Sequence, residues 1–179
     1  MSHYRIYKDH ALYFVTFTVV EWLPIFVAEK PCCIVTDSLN FCHERKHLDI
    51  DAYVIMPTHL HAILFDRDFD GDRLRQTLTD LRKYTGQQLT GYCLSHMPVC
   101  FAATLRAAAG KDRRYRFWQA GMRPEAIYTQ HFWRQKWNYL HDNPCRSGLA
   151  REASHWRFSS AAYWLEDGES EVVLTSVEW

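Results

Sequence analysis

The sequence predicts an α+β domain: a ferredoxin-like split βαβ arrangement, with an antiparallel sheet that carries helices on one face. Three observations predict it. Apolar periodicity alternates between strand-like and helix-like in the order β-α-β-β-α-β. The chain has 179 residues, 47% hydrophobic and 15% aromatic, which is enough for a proper core and far too apolar for disorder. Two strand-like runs are separated only by Pro57-Thr58, the spacing of a hairpin.

The elements follow in order. Residues 11–20 (ALYFVTFTVV) are rich in β-branched and aromatic types and read as a buried strand. From Lys30 to His47 the pattern becomes helical, with Ile34, Leu39, Phe41 and Cys42 apolar and Pro31 suited to the first turn. Residues 49–56 and 59–65 form the hairpin. Leu74 to Tyr92 is the second helix, with Leu74, Leu78, Leu81, Tyr84 and Leu89 near helical spacing. Residues 93–110 have no sharp period, and Arg113 to Gln119 reads as a short strand. Tyr128 to Asp142 is a strong helix, expected to end before Asn143-Pro144 because proline disfavours helical geometry in the residue before it. Trp156 to Tyr163 reads as a short helix ahead of an acidic end. Residues 1–179 are expected to form one domain, with a core over about 10–150 and a C-terminal extension over 151–179. The first and third strands are expected to be central.

Composition excludes several classes. No apolar run approaches a membrane span, and the polar N-terminus lacks a signal-peptide core, so a cytoplasmic protein is expected. The six cysteines include no Cys-x-x-Cys pair, and they read as small buried hydrophobes rather than a zinc site. Net charge is zero, but its distribution is uneven: −4 over residues 1–71, +9 over 72–151 and −5 over 152–179. The basic middle segment has the charge of a phosphate-backbone binder. Its candidate DNA contacts are Arg82, Lys83, Arg113, Arg114, Arg116, Lys136 and Arg146.

The chemistry concentrates at His59-Leu60-His61. Side chains alternate along a strand, so both imidazoles share one face and form half of a metal site. The tripeptide alone is weak, since ten histidines would supply roughly half of one such match by chance. The helix 128–142 adds to it. Trp133, Trp137 and Leu140 form its core stripe, and Tyr139 and Asn143 lie one turn apart on another side. An amide oxygen there is a candidate third ligand, and the neighbouring phenol a candidate nucleophile. Phe117 and Trp118 read as core, and His141 as solvent-exposed.

Taken together, Tyr53-Val-Ile-Met-Pro-Thr-His59-Leu-His61, Phe117-Trp118-Gln119, Tyr139-Leu-His-Asp-Asn143-Pro144-Cys-Arg146-Ser-Gly148-Leu149 and Trp156-Arg-Phe-Ser-Ser-Ala161 resemble the single-tyrosine HUH transposases. Within that family the resemblance is to the REP-associated tyrosine transposase branch, and it runs in order from about residue 10 to 165. It implies a ferredoxin-like fold with Mg²⁺ or Mn²⁺ held by His59, His61 and Asn143, and Tyr139 as the nucleophile that cleaves single-stranded DNA. The product would be a 5′-phosphotyrosine and a free 3′-hydroxyl. Partners implied are single-stranded DNA hairpins of palindromic repeats, in a nucleoid-associated setting. The family includes homodimers that exchange the tyrosine helix and members that keep it in cis. Two departures stand out: Thr58 where Asn is frequent, and Leu140 where Ile or Val is common.

Other readings are a transposase-derived hairpin binder or repressor without turnover, and an unrelated metal hydrolase. An amidohydrolase barrel needs about 250 residues. A phosphoesterase with duplicated His-x-Thr/Ser motifs is disfavoured because the chain contains neither tripeptide.

Overall fold

The computed structural model describes residues 6, 12–111 and 113–178; most of the polar N-terminus lies outside them. In chain order the elements are β1 (Leu12–Thr18), α1 (Glu29–Arg45), β2 (Leu48–Met56), β3 (His59–Asp66) and α2 (Gly71–His96). They continue with α3 (Val99–Ala107), β4 (Glu125–Ile127), α4 (Gln130–Arg146) and α5 (Ala161–Glu166). Short 3-10 turns occupy Val20–Trp22 and Ala153–His155. The strands form one antiparallel sheet in the order β2-β3-β1-β4, so β1 and β3 are central as expected.

Alternation along the strands builds two cores. Tyr13, Val15 and Phe17 of β1 and Leu60, Ala62 and Leu64 of β3 pack with α1 and α2 through Val35, Leu39, Leu78 and Leu81. Phe14 of β1, Val54 of β2 and Ile63 of β3 face the other way, onto Leu140, Trp133 and Trp137 of α4. The ferredoxin-like arrangement therefore stands, with α1 and α2 on one face and α4 added on the other.

Local differences from the sequence reading have physical causes. Residues 113–119 are not a strand. They make only an isolated bridge, Trp118 to Val19, and Trp118 is turned into the core, where its Nε1 donates to Thr85 Oγ1 at 3.1 Å. The fourth strand is instead Glu125–Ile127, paired with Leu12–Phe14. Residues 99–107, without a sharp period in the sequence, are α3.

The helix carrying Tyr139 does not stop before Asn143-Pro144 but runs to Arg146. Pro144 is buried, and its carbonyl accepts from Leu149 N–H at 2.9 Å, while Ser147 N–H donates to Asn143 O at 3.0 Å. These bonds and the burial outweigh the single N–H that proline lacks. Gly148, at φ +70°, then takes the left-handed position that ends many helices. The tail helix starts later than expected, forming over Ala161–Glu166, so only residues 161–163 of the expected span are helical. Before it, Ile55 N–H donates to Phe158 O at 2.8 Å and Ser160 N–H to Tyr53 O at 3.0 Å, and the tail thus covers the edge of β2. Of the six cysteines, all free, Cys32, Cys42 and Cys93 are buried as expected, whereas Cys100 is exposed.

Candidate active site

The site forms where α4 crosses the sheet. His59 and His61 share the α4 face of β3, with ring centroids 4.6 Å apart. His61 stacks on Phe14 of β1 at 5.0 Å, and the Tyr139 ring lies edge-on to both, 5.5 Å from His61 and 6.1 Å from Phe14. Tyr139 is 39% exposed and His61 only 6%, so the phenol stands at the mouth and the imidazole at the floor. Asn143 follows Tyr139 by one helical turn and is half-buried. The continuation of α4 through Pro144 is what keeps it on that side.

Each imidazole is oriented by a threonine. His61 Nδ1 lies 2.8 Å from Thr16 Oγ1, its partner across the β1–β3 ladder, and His59 Nδ1 lies 2.9 Å from Thr58 Oγ1. In the tautomer whose Nδ1–H donates to the hydroxyl oxygen, each Nε2 keeps its lone pair for a metal. Burial also keeps both rings neutral. It lowers His59 to about 4, and it lowers His61 to about 3 with help from the charges of His59 and Lys136. The sequence signalled Thr58 by adjacency alone. Thr16 had no local signal, because only strand register brings it to His61.

Two imidazole nitrogens and an amide oxygen make a neutral donor set. Among the described residues no group of three or more His, Cys, Asp and Glu is placed to hold a metal ion. The chemistry of this set would suit a divalent ion with positions left open for phosphate oxygens, which would supply the negative charge.

The basic residues divide into three groups. Lys136 lies beside the site, its ammonium 4.7 Å from the Phe14 ring centroid and ion-paired with Glu125 at 2.8 Å. Arg146 lies over the Tyr139 ring at 5.3 Å, exposed to solvent. Lys83, Arg113 and Arg116 line a groove of about 610 Å³ between α2 and residues 113–122, and Arg114 is exposed nearby. Arg82 lines this groove too, but its guanidinium is committed to Gln119 O at 2.6 Å and Gly121 O at 2.8 Å. It holds the groove wall in place.

His141 differs from the sequence reading. It is 1% exposed, and its Nε2 lies 2.7 Å from Ser160 Oγ, which ties α4 to the tail segment on the edge of β2. Its ring packs against Trp137 at 4.0 Å, so it belongs to the support of the tyrosine helix.

No protein-family model matches the chain, and no curated protein sequence matches it. Among solved structures it is similar to the REP-associated tyrosine transposase bound to a REP hairpin, with a TM-score of 0.62. The likeness covers 99% of this chain and 94% of that one, at 19% sequence identity. The fold is thus that of a REP-associated tyrosine transposase, the class that the sequence motifs resemble. Among the described residues, no helix is long and apolar enough to cross a membrane.

Proposed function

We propose that this chain is a metal-dependent single-strand DNA endonuclease and strand transferase. Its substrate would be hairpin-forming repeat DNA, and its intermediate a 5′-phosphotyrosine. The observation that carries the reading is the juxtaposition of an accessible Tyr139 with two neutral imidazoles, 5.5 Å from the nearer ring. The match to a transposase solved with a REP hairpin supports the choice of DNA, as does the basic groove beside α2.

In this mechanism the Tyr139 oxygen attacks the scissile phosphorus, a bond forms to the phenolic oxygen, and the bond to the 3′-oxygen breaks. The departing 3′-oxygen takes up a proton, and the phenol gives one up to solvent. Because one phosphodiester replaces another, a 3′-hydroxyl can attack the phosphotyrosine and reseal the strand without an energy source. His59, His61 and Asn143 would hold Mg²⁺ or Mn²⁺, which polarises the phosphoryl oxygen when bound. Arg146, exposed over the Tyr139 ring, would place positive charge beside the phosphate, whereas the charge of Lys136 is paired with Glu125.

The test uses end-labelled single-stranded hairpin oligonucleotides with Mg²⁺ or Mn²⁺. A denaturant-resistant adduct bearing the 3′-labelled fragment is expected from the natural protein. It should be absent with Tyr139→Phe and in EDTA. Hairpin binding without any adduct would replace this reading with that of a non-catalytic DNA-binding protein.

A further inference from the structure

The turn after β1 carries an aromatic side chain that the chemistry above does not use. Trp22 is 58% exposed, yet its ring lies 5.8 Å from His59, edge-on at 80°. Exposure alone would mean little. The backbone is more informative: Glu21 and Trp22 both lie in the left-handed region, at φ +51° and +53°, which neither residue type favours.

The turn is held in this shape from all sides. Val19 N–H donates to Thr58 O at 3.0 Å, Val20 N–H to Phe117 O at 2.9 Å, and Phe26 N–H to Pro57 O at 3.0 Å. Val19 and Val20 are buried beneath it. The turn therefore presents the indole beside the histidine pair before any ligand arrives, with the ring open to solvent.

Its position also has a direction. Tyr139 packs on Phe14 and His61, His61 pairs with Thr16, His59 pairs with Thr18, and Trp22 lies just past the end of β1. Tyr139 and Trp22 thus flank the histidine pair from opposite ends. In an in-line displacement the leaving oxygen departs opposite the nucleophile.

We propose that Trp22 is a stacking platform for one nucleobase of the bound single strand, that of the nucleotide whose 3′-oxygen leaves. The inference rests on the endonuclease reading for its direction, but not for the stacking itself. An indole face stacks on any base, so the platform would hold the freed 3′-end near the phosphotyrosine without demanding a sequence.

The stacking is read in EDTA, where no cleavage occurs, by titrating the full chain with dT12 and with an abasic dodecamer of the same backbone. Trp22→Ala should weaken dT12 binding about 10-fold and leave the abasic oligomer unaffected, with Trp22→Phe retaining most of the affinity. Unchanged dT12 binding in Trp22→Ala, or equal losses on both oligomers, would overturn the proposal. The direction is read in Mg²⁺ by moving a single abasic site along a cleaved oligonucleotide. Trp22→Ala should be insensitive to it at the nucleotide 5′ of the cut, where the natural protein loses about 10-fold. Insensitivity on the 3′ side would overturn the leaving-group assignment. A protein that forms no adduct but shows the base-dependent loss in EDTA would refute the endonuclease reading and keep the stacking site.

Discussion

At the scale of single residues, the site depends on what orients His59 and His61. An imidazole on a strand can rotate about χ2 and present either nitrogen, and Thr16 and Thr58 remove that freedom. The frequent Asn before the first histidine is Thr58 here, and its hydroxyl reaches Nδ1 directly. Thr58→Val keeps the shape and deletes the acceptor. It should weaken Mn²⁺ binding about 10- to 100-fold in calorimetry while the fold persists. His59→Ala should abolish metal-dependent cleavage and leave hairpin binding largely intact. Equal loss of binding would mean that the histidines serve structure alone. Arg82 shows why residue type does not settle role: its charge looked available for phosphate, but two backbone carbonyls hold it.

At the scale of elements, α4 is both a packed helix and the carrier of the candidate nucleophile. Thr129 caps its N-terminus by accepting from Phe132 N–H at 3.1 Å, and the apolar stripe then seats it on the sheet. The β2 strand responds with a bulge between Ile50 and Ala52, beside Asp51. Asp51 accepts from Trp133 Nε1 at 2.8 Å, a second anchor for the helix. Leu140 is fully buried next to Tyr139, so Leu140→Ala should cost about 2–5 kcal/mol in global stability by denaturant melt. A cost near zero would show that α4 is not seated by its apolar stripe. A Val or Ile at that position keeps most of the packing, in line with the mild nature of the Leu140 departure.

At the scale of the whole molecule, burial of titratable groups sets an acid limit. His61 is lowered to about 3, and His59 and His141 to about 4, all chiefly by burial. Below about pH 6.5 the unfolded chain takes up protons that the folded chain refuses. Stability therefore falls with pH by roughly 1.4 kcal/mol per unit for each histidine until the folded-state values are reached. Asp51 works in the opposite sense. Burial raises it to about 6, so the folded chain gains its proton first and this one carboxyl adds stability between about pH 6 and 4. Three histidines outweigh one aspartate. Thermal melts in EDTA should show a marked drop from pH 6.5 to 4.5, and a flat profile would contradict the burial of these rings.

The order of β1, α1, β2, β3 and α2, the shared face of His59 and His61 and the shared side of Tyr139 and Asn143 were all legible in the sequence. Each depends on a repeat of 2 or 3.6 residues, which neighbouring side chains and backbone geometry impose locally. Phe117 and Trp118 were legible as core for their apolarity. Which segment forms β4, whether α4 survives Pro144, and on which face it lies were decided only by tertiary structure. These outcomes depend on long-range burial that a local period does not encode. The same holds for Thr16 beside His61, Arg82 on its carbonyls, His141 in the interior and Trp22 at the mouth of the site. The sequence by itself determined which groups are candidates for the chemistry. The tertiary structure decided what orients, buries and flanks them, because register and packing join residues far apart in the chain.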